Sequence, residues 1–330
     1  MSGLSDLRLG FIPLTDCAPL AVAQALGFFE EEGLAVELVR EASWATIRDK
    51  VAVGALDGAH MLGPMALAAE GDVLAPMALN RNGSAVTVST ALAGAVGAAG
   101  EGLARIVAAR RASGQGLLTF AVVFPQSMHN YLLRDWLVRA GVDPDQDVRL
   151  VVIPPPRMVE RMRAGEIDGF CVGAPWNAVA EAQGVGRILM VSSQIWPAGP
   201  DKVLGVNAAL AAHRSDDLRA CLRAVIRGAA WADAPQNRDA LVALLARPDV
   251  VGVDPAALSR ALEHEIIFHR DEAGLPQREH ALWFLSQMVR WGQLEAGRDM
   301  EALADRVYRP DLYRDAALSL QADEPALHAS

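Results

Sequence analysis

The chain has 330 residues, a formal net charge of −10 and a hydrophobic fraction of 52%. This length suffices for one large domain or two of medium size. The acidic balance argues against a general surface for nucleic acid or anionic membranes, and no stretch reaches the roughly 18 uninterrupted apolar residues of a membrane span. We therefore expect direct binding to neither nucleic acid nor a membrane.

The reactive side chains do not form a catalytic or metal-binding motif. The three cysteines, Cys17, Cys171 and Cys221, are far apart and form no CxxC pair, so we expect buried reduced thiols rather than a zinc site or disulfides. The seven histidines contain no HExxH motif. Ser127 near His129 lacks the surroundings of a hydrolase nucleophile. The sequence thus predicts a protein that is not an enzyme and uses no metal or cofactor.

The first part of the chain alternates strands and helices, which is typical of a parallel sheet covered by helices. The predicted elements are a strand in LRLGFIP, a helix in APLAVAQALGFFEEEGL, a strand in AVELVRE, a helix in WATIRDKVAVGAL and a short strand in DGAHMLG. A β-branched run, AVTVSTAL, follows. An Ala- and Gly-rich stretch with a helix near Leu103–Arg111 separates it from a second alternation.

The second alternation is followed by a helical C-terminal part. Its predicted strands are LTFAVVF, VRLVVI, IDGFCVG, RILMVSS and KVLGVNAAL, and its helices include SMHNYLLRDWLVRAG and RMVERMRAG. From about Ser215 the pattern is helical, in DDLRACLRAVIRGAAWAD, RDALVALLA, PAALSRALEHEII and QREHALWFLSQMVRWGQL, and we expect the end, ADEPALHAS, to be frayed.

Two α/β units joined by two long strand crossings describe a bilobed protein that closes around a ligand. We predict that residues 1–88 and 205–330 form lobe 1, with the helical C-terminal portion, and that residues 89–204 form lobe 2.

Five stretches together resemble one family. ALGFFEEEGLAVELV is similar to the opening of the type II periplasmic-binding-protein fold, and SWATIRDKV, LDGAHMLGPM, IDGFCVGAPWN and GPDKVLGVN resemble the nitrate- and bicarbonate-binding proteins of ABC importers. The resemblance covers nearly the whole chain. It implies an α/β, bilobed type II periplasmic-binding-protein fold with a two-strand hinge.

The opening MSGLSDLRLGFIPL lacks the basic start and long apolar stretch of a secretory signal. Exported members of the family carry a signal, so the chain most resembles the NasS branch. That resemblance implies a cytoplasmic nitrate/nitrite sensor that sequesters an RNA-binding antiterminator of the NasT type. A substrate-binding component of a nitrate, nitrite, sulfonate or bicarbonate importer is the alternative, and an enzyme on the same fold is a third.

Nitrate is flat and carries one delocalised charge, so a good site supplies one cation, neutral donors and a planar wall. Trp44, in SWAT at a helix start, offers an indole N–H and a flat face, although spacing alone is as compatible with a packing tryptophan. His129 opens a helix, where anions are favoured but surface histidines are common. The resemblance implies that both contact the ligand.

Gly173 ends a strand, where α/β folds place ligands, and its backbone N–H can approach an anion closely. Relatives often have glutamate at the position of Ala174, which makes a calcium-assisted bicarbonate site less favoured here.

Only Lys50 and Lys202 of the 30 basic residues are lysines. The resemblance implies that Lys202 pairs with the anion. We do not expect a salt bridge from Lys202 to neighbouring Asp201, because adjacent residues in a strand point to opposite faces. Lys50 falls nearly opposite Trp44 on its helix and is interpreted as an ordinary solvated residue.

The segment NRNGS ends the first unit. The resemblance implies a ligand-contacting glutamine directly after its glycine, where this chain has Ser84; Asn82 is a candidate to compensate. Both are predicted ligand-binding residues, and the choice between nitrate and nitrite stays open.

Overall fold

The computed structural model describes residues 4–97, 100–263 and 266–323. Its strands are β1 Ser5–Phe11, β2 Leu34–Arg40, β3 Gly58–Leu62, β4 Val73–Ala78, β5 Ser84–Ser89, β6 Leu118–Val122, β7 Val148–Val152, β8 Gly169–Gly173, β9 Gly186–Val191 and β10 Lys202–Asn207. Its helices are α1 Ala18–Ala25, α2 Phe28–Glu31, α3 Trp44–Ala52, α4 Gly63–Ala68, α5 Thr90–Val96, α6 Leu103–Ala112, α7 Met128–Arg139, α8 Met158–Arg163, α9 Trp176–Ala182, α10 Ser192–Ile195, α11 Ala208–His213, α12 Ser215–Asp233, α13 Arg238–Leu245, α14 Pro255–Leu262, α15 Arg278–Arg290, α16 Met300–Val307 and α17 Pro310–Asp323. Short 3-10 helices lie at Thr15–Cys17, Pro155–Arg157 and Pro235–Asn237.

The strands form two five-stranded mixed sheets, in the orders β2-β1-β3-β10-β4 and β7-β6-β8-β5-β9. In each sheet the strand that arrives from the other sheet, β10 or β5, runs antiparallel to both of its neighbours. The chain crosses between the sheets at the start of β5 and returns at the start of β10. The predicted bilobed α/β architecture with two strand crossings is confirmed.

The crossings do not fall at the predicted lobe limits. Those limits assign residues 84–88 to lobe 1, whereas β5 pairs with β8 and β9 of the second sheet. They also assign residues 202–204 to lobe 2, whereas β10 pairs with β3 and β4 of the first sheet. A β-branched run predicts a strand, but the sequence does not state which sheet supplies its hydrogen-bonding partners.

The first sheet contains a strand that the sequence pattern did not predict. β4 includes Pro76, which lacks a backbone donor and therefore argues against a central strand. β4 lies at an edge of its sheet, where such a residue is tolerated, and pairs only with β10 among the strands described.

The helical prediction after β1 was wrong in one detail. The stretch read as one helix divides into α1 and α2 at Gly27, which adopts a left-handed φ of +75°. This conformation suits glycine and interrupts the helical hydrogen bonding.

The C-terminal helices cover the first sheet: α12 packs on α1, and α15 packs on α4 and α16. α4, α5, α10, α11, α16 and α17 were not predicted from the sequence; the strands predicted in RILMVSS and KVLGVNAAL end before α10 and α11 begin. Most of the end predicted to be frayed, residues 324–330, lies outside the described residues.

The three cysteines are buried and unpaired with one another, as predicted. Burial raises the pKa of each thiol, so the thiolate form is disfavoured. In the described part of the chain, no helix combines the length and apolar character needed to cross a bilayer.

Candidate functional site

Lys202 is fully buried at the first residue of β10. Its Nζ lies 2.8 Å from Asp16 Oδ2 and 2.7 Å from Asp201 Oδ2. An isolated ammonium in this environment would be strongly destabilised, so the two carboxylates are what allows a charged lysine here.

The ion pair between Lys202 and Asp201 contradicts the prediction that neighbours would point apart. That prediction treated both residues as part of one strand. Asp201 precedes β10, whose pairing begins at Lys202 opposite Leu62. Side-chain alternation applies only within the pleated strand, so the turn residue can direct its carboxylate to the same side as its neighbour.

The charges of the Lys202–Asp16 pair are stabilised by one another. Burial lowers the pKa of Lys202, but the nearby Asp16 and Asp201 carboxylates outweigh it and hold that pKa above its usual value. Burial raises the pKa of Asp16, but Lys202 and His60 outweigh it and hold that pKa well below its usual range. Both groups are therefore ionised at neutral pH.

His129 reaches the same place from the second sheet. α7 begins at Met128, with the Ser127 Oγ accepting a hydrogen bond from the backbone N–H of Asn130. His129 is fully buried, and its Nε2 lies 3.5 Å from Lys202 Nζ and 3.6 Å from Asp201 Oδ2. Burial lowers the pKa of His129 to about 4. The Asp201 carboxylate opposes this shift, and the positive charge of Lys202 adds to it. The ring is neutral at pH 7.

Trp44 lies near the lysine, at the start of α3 as predicted, and it is buried. The helix start is fixed by Ser43, whose Oγ accepts a hydrogen bond from the Thr46 N–H. The Trp44 ring centroid is 5.9 Å from Lys202 Nζ, and its ring makes an edge contact with His60 at 5.2 Å between centroids.

Gly173 is located where a side chain would obstruct the site. A Cβ at this position would lie 3.1 Å from Asp16 Oδ2 and 3.5 Å from His129 Nε2. Glycine therefore leaves open the space on which a carboxylate from one lobe and a histidine from the other converge.

Of the two residues at the first crossing, Ser84 enters the site directly. It donates from Oγ to Asp201 Oδ2 at 2.8 Å. Asn82 is buried nearby in the chain with a left-handed φ of +58°, and its backbone carbonyl accepts from Asn80 Nδ2. Asn80 also accepts from the backbone N–H of Lys202, so it ties the two crossings together.

Sequence reasoning missed three of the charged or titratable residues here: Asp16, His60 and Asp201. His60 Nε2 lies 2.8 Å from Asp16 Oδ1, and both are buried. Asp16 had a usable signal, because it lies just beyond the carboxyl end of the apolar run that contains β1, where ligand sites of α/β folds are found. His60 had none, since it lies inside the buried strand β3.

Together these residues form one buried group, here called the Lys202 cluster: Asp16, Trp44, His60, Ser84, His129, Asp201 and Lys202. Within the described residues, four buried polar atoms at or beside this cluster have no hydrogen-bond partner: Thr15 Oγ1, Trp44 Nε1, His129 Nδ1 and Asp201 Oδ1. Buried polar atoms are normally satisfied, so these atoms retain unused hydrogen-bonding capacity at or beside the Lys202 cluster.

The second lysine of the chain, Lys50, is not part of the Lys202 cluster. Lys50, interpreted as a solvated residue, pairs with Glu41 at 2.6 Å and keeps 42% of its side chain exposed.

Over residues 4–97, 100–263 and 266–323, no group of three or more histidine, cysteine or acidic side chains is arranged to hold a metal ion.

Comparison with known proteins identifies related sequences. Residues 2–246 match the NMT1-like family. The chain is 36% identical to the nitrate/nitrite binding protein NrtA of Synechococcus elongatus, over 98% of this chain and 80% of that one. It is 37% identical to the nitrate import ATP-binding protein NrtC of Synechocystis, over 96% of this chain but only 50% of the relative. The chain therefore spans half the length of that relative.

Solved structures show the same fold. The periplasmic nitrate-binding protein NrtA from Synechocystis superimposes with a TM-score of 0.91 at 30% identity, covering 96% of this chain and 89% of that one. The alkanesulfonate-binding protein SsuA from Xanthomonas axonopodis shares the fold at a TM-score of 0.69 and 15% identity. These similarities confirm the predicted periplasmic-binding-protein fold. The NrtA relatives are named as nitrate-binding or nitrate/nitrite-binding proteins and not as enzymes, in agreement with the prediction for this chain.

Proposed function

The chain belongs to the NMT1-like family of substrate-binding proteins that includes NrtA, and from that premise we propose that it binds nitrate or nitrite between its two lobes. Lys202 supplies the cation, and Trp44 and His129 supply ring N–H donors, one from each lobe.

The observation that carries this proposal is the buried Lys202 surrounded by polar side chains from both sheets. Asp16, Trp44 and His60 come from elements of the first sheet, and Ser84, His129 and Gly173 come from elements of the second. A ligand in contact with both sets would hold the lobes together, which is how binding energy couples to closure. The side chains that line the site are polar and include one cation, which suits an inorganic anion better than an apolar ligand.

We further propose that the chain serves as the substrate-binding component of an ABC import system. Support comes from the names of its relatives, NrtA and NrtC, and from their identity over almost the whole chain. Ala174 stands where relatives often have glutamate, and the missing carboxylate further supports nitrate over bicarbonate as the ligand.

The sensor prediction stays a separate proposal. A cytoplasmic NasS-type protein would bind a NasT-type antiterminator when ligand-free and release it when nitrate or nitrite binds. Size-exclusion chromatography of the two proteins, with and without either anion, tests it. A complex that never forms, or that persists at saturating anion, would contradict the sensor role. Fractionation of the native host tests the predicted cytoplasmic location.

The binding proposal is tested by calorimetric titration of the purified chain with nitrate, nitrite, bicarbonate and an alkanesulfonate. We expect saturable binding of nitrate or nitrite, and a rise in melting temperature with the same anion, because a ligand of the folded state stabilises it by mass action. Tighter binding of bicarbonate or the sulfonate would contradict the proposal.

A further inference from the structure

Beside its two histidines, the Lys202 cluster holds two carboxylates and one ammonium. Lys202 contacts the carboxylates of both Asp16 and Asp201, at 2.8 and 2.7 Å, and all three side chains are at most 2% exposed. A monovalent anion would add a further negative charge in a region with little solvent. Where water is excluded, the Asp16 and Asp201 carboxylates would repel an anion held beside them strongly. The anion therefore needs an additional positive charge to accompany it.

His129 is located where that charge can be placed. The groups that face it come from each element packed around it: Asp16 on the 3-10 helix after β1, His60 on β3, and Asp201 and Lys202 at the start of β10. Two of these four are carboxylates, so a positive imidazole would be attracted by Asp16 and Asp201 as well as by the incoming anion.

The geometry also indicates which nitrogen takes the proton. His129 Nε2 lies 3.5 Å from the ammonium of Lys202, which can only donate, and 3.6 Å from Asp201 Oδ2, which can only accept. We assign Nε2 as the acceptor of the neutral ring, with the hydrogen on Nδ1; once protonated, Nε2 can donate to Asp201 instead. A proton added to Nε2 would turn an acceptor into a donor directed at the space left open above Gly173, 3.5 Å from the position of an added Cβ.

We propose that this site takes up its anion together with one proton from solvent, which binds to Nε2 of His129. The proposal rests on the proposed function, since it specifies the protonation state in which nitrate or nitrite is held. No bond forms other than the N–H bond. In the ligand-free protein the ring is neutral because burial depresses its pKa.

Linkage fixes the sign of the pH dependence. If binding takes up a proton, the anion raises the pKa of His129, and its affinity rises as pH falls. The affinity changes by at most about tenfold per pH unit. This change occurs at pH values between the pKa of His129 in the free protein and its pKa in the complex. Above the pKa of the complex the affinity becomes independent of pH.

The experiment is calorimetric titration of the full chain with nitrate and with nitrite, at several values between about pH 5 and 8. Two cationic buffers of different ionisation enthalpy, such as Bis-Tris and imidazole, avoid competing buffer anions. The difference in observed enthalpy between buffers gives the number of protons taken up. We expect uptake approaching one proton toward the acidic end, with affinity rising in parallel.

Two variants assign the proton. His129→Asn should abolish both the uptake and the pH dependence. His213→Asn, at an exposed position on α11, is the matched control and should behave as the parent protein. Histidine ring signals in the NMR spectrum of the unmutated protein give the pKa of His129 with and without nitrate, which covers the case in which a variant fails to fold.

Intact anion binding with the same enthalpy in both buffers and constant affinity across this range would overturn the inference and leave the proposed function standing. Proton uptake that persists in His129→Asn would overturn the assignment to His129. Absence of nitrate and nitrite binding at every pH would overturn the proposed function itself, and the inference with it.

Discussion

Replacing Lys202 with methionine removes the one cation of the Lys202 cluster and keeps most of its side-chain volume. The substitution leaves the carboxylates of Asp16 and Asp201 buried without the ammonium that lies 2.8 and 2.7 Å from them. Removing one partner of a buried ion pair costs about 3–5 kcal/mol, because the remaining charge has no compensation. His60 and Ser84 still contact the two carboxylates, which keeps the expected loss of unfolding free energy within that range.

This loss corresponds to a decrease in melting temperature on the order of 10 °C for a domain of this size. The loss should shrink as pH is lowered from neutral, because the stranded carboxylates can then be protonated and lose their charge. Urea unfolding at several pH values measures both effects, and calorimetry measures the loss of anion binding.

Lys50→Met is the matched control, since it removes the other lysine of the chain. Lys50 is partly exposed and pairs with a single carboxylate, that of Glu41, so we expect a change of about 1 kcal/mol or less and unchanged anion affinity. Equal destabilisation by the two substitutions, or nitrate binding that survives in Lys202→Met, would refute the reasoning.

Gly173→Ala places a methyl group 3.1 Å from Asp16 Oδ2 and 3.5 Å from His129 Nε2. We expect at least about tenfold weaker anion binding by calorimetry, with a small change in stability. Undiminished affinity would show that the ligand lies elsewhere. Burial depresses the pKa of His129 to about 4, so the ligand-free protein should lose roughly 3 kcal/mol of stability as pH falls from about 6.5 to 4. Urea unfolding should show a shallower decline in His129→Asn, and an identical slope would contradict the neutral buried ring. Tyr131→Phe removes the hydrogen bond from Tyr131 Oη to Gln293 Oε1 at 2.7 Å, between α7 and the segment after α15. We expect the free energy of unfolding in urea to fall by about 1 kcal/mol. An unchanged value would mean that this contact contributes nothing to joining the lobes.

Local sequence was sufficient for most of the elements around the site. The apolar run before Thr15 predicts β1, and the polar–apolar spacing after Ser43 and Ser127 predicts the starts of α3 and α7. These features depend on hydrogen bonds and side-chain periodicity within a few residues of the chain, so they are readable without the fold. Trp44 and His129 were placed at helix starts for that reason, and the family resemblance then made them candidates for ligand contact.

The sequence could not show which sheet each crossing strand joins. β5 and β10 are both β-branched, apolar runs, and each pairs on both sides with strands distant in sequence. The hydrogen-bonding groups of such a strand are the same whichever sheet accepts it, so its position is decided by the packing of the whole lobe. The lobe limits predicted from the sequence therefore differ from the strand pairing.

The sequence by itself determined that this chain carries a lysine at the start of a strand and a tryptophan and a histidine at the starts of two helices. Only the tertiary structure decided that Lys202 is held between Asp16 and Asp201, and that His60 lies behind Asp16. Charges in an unfolded or exposed chain interact weakly through water, so their spacing in sequence carries little information about pairing. Burial removes that screening, and the protonation state of the site then depends on which carboxylates and imidazoles the two lobes bring within a few ångströms of one another.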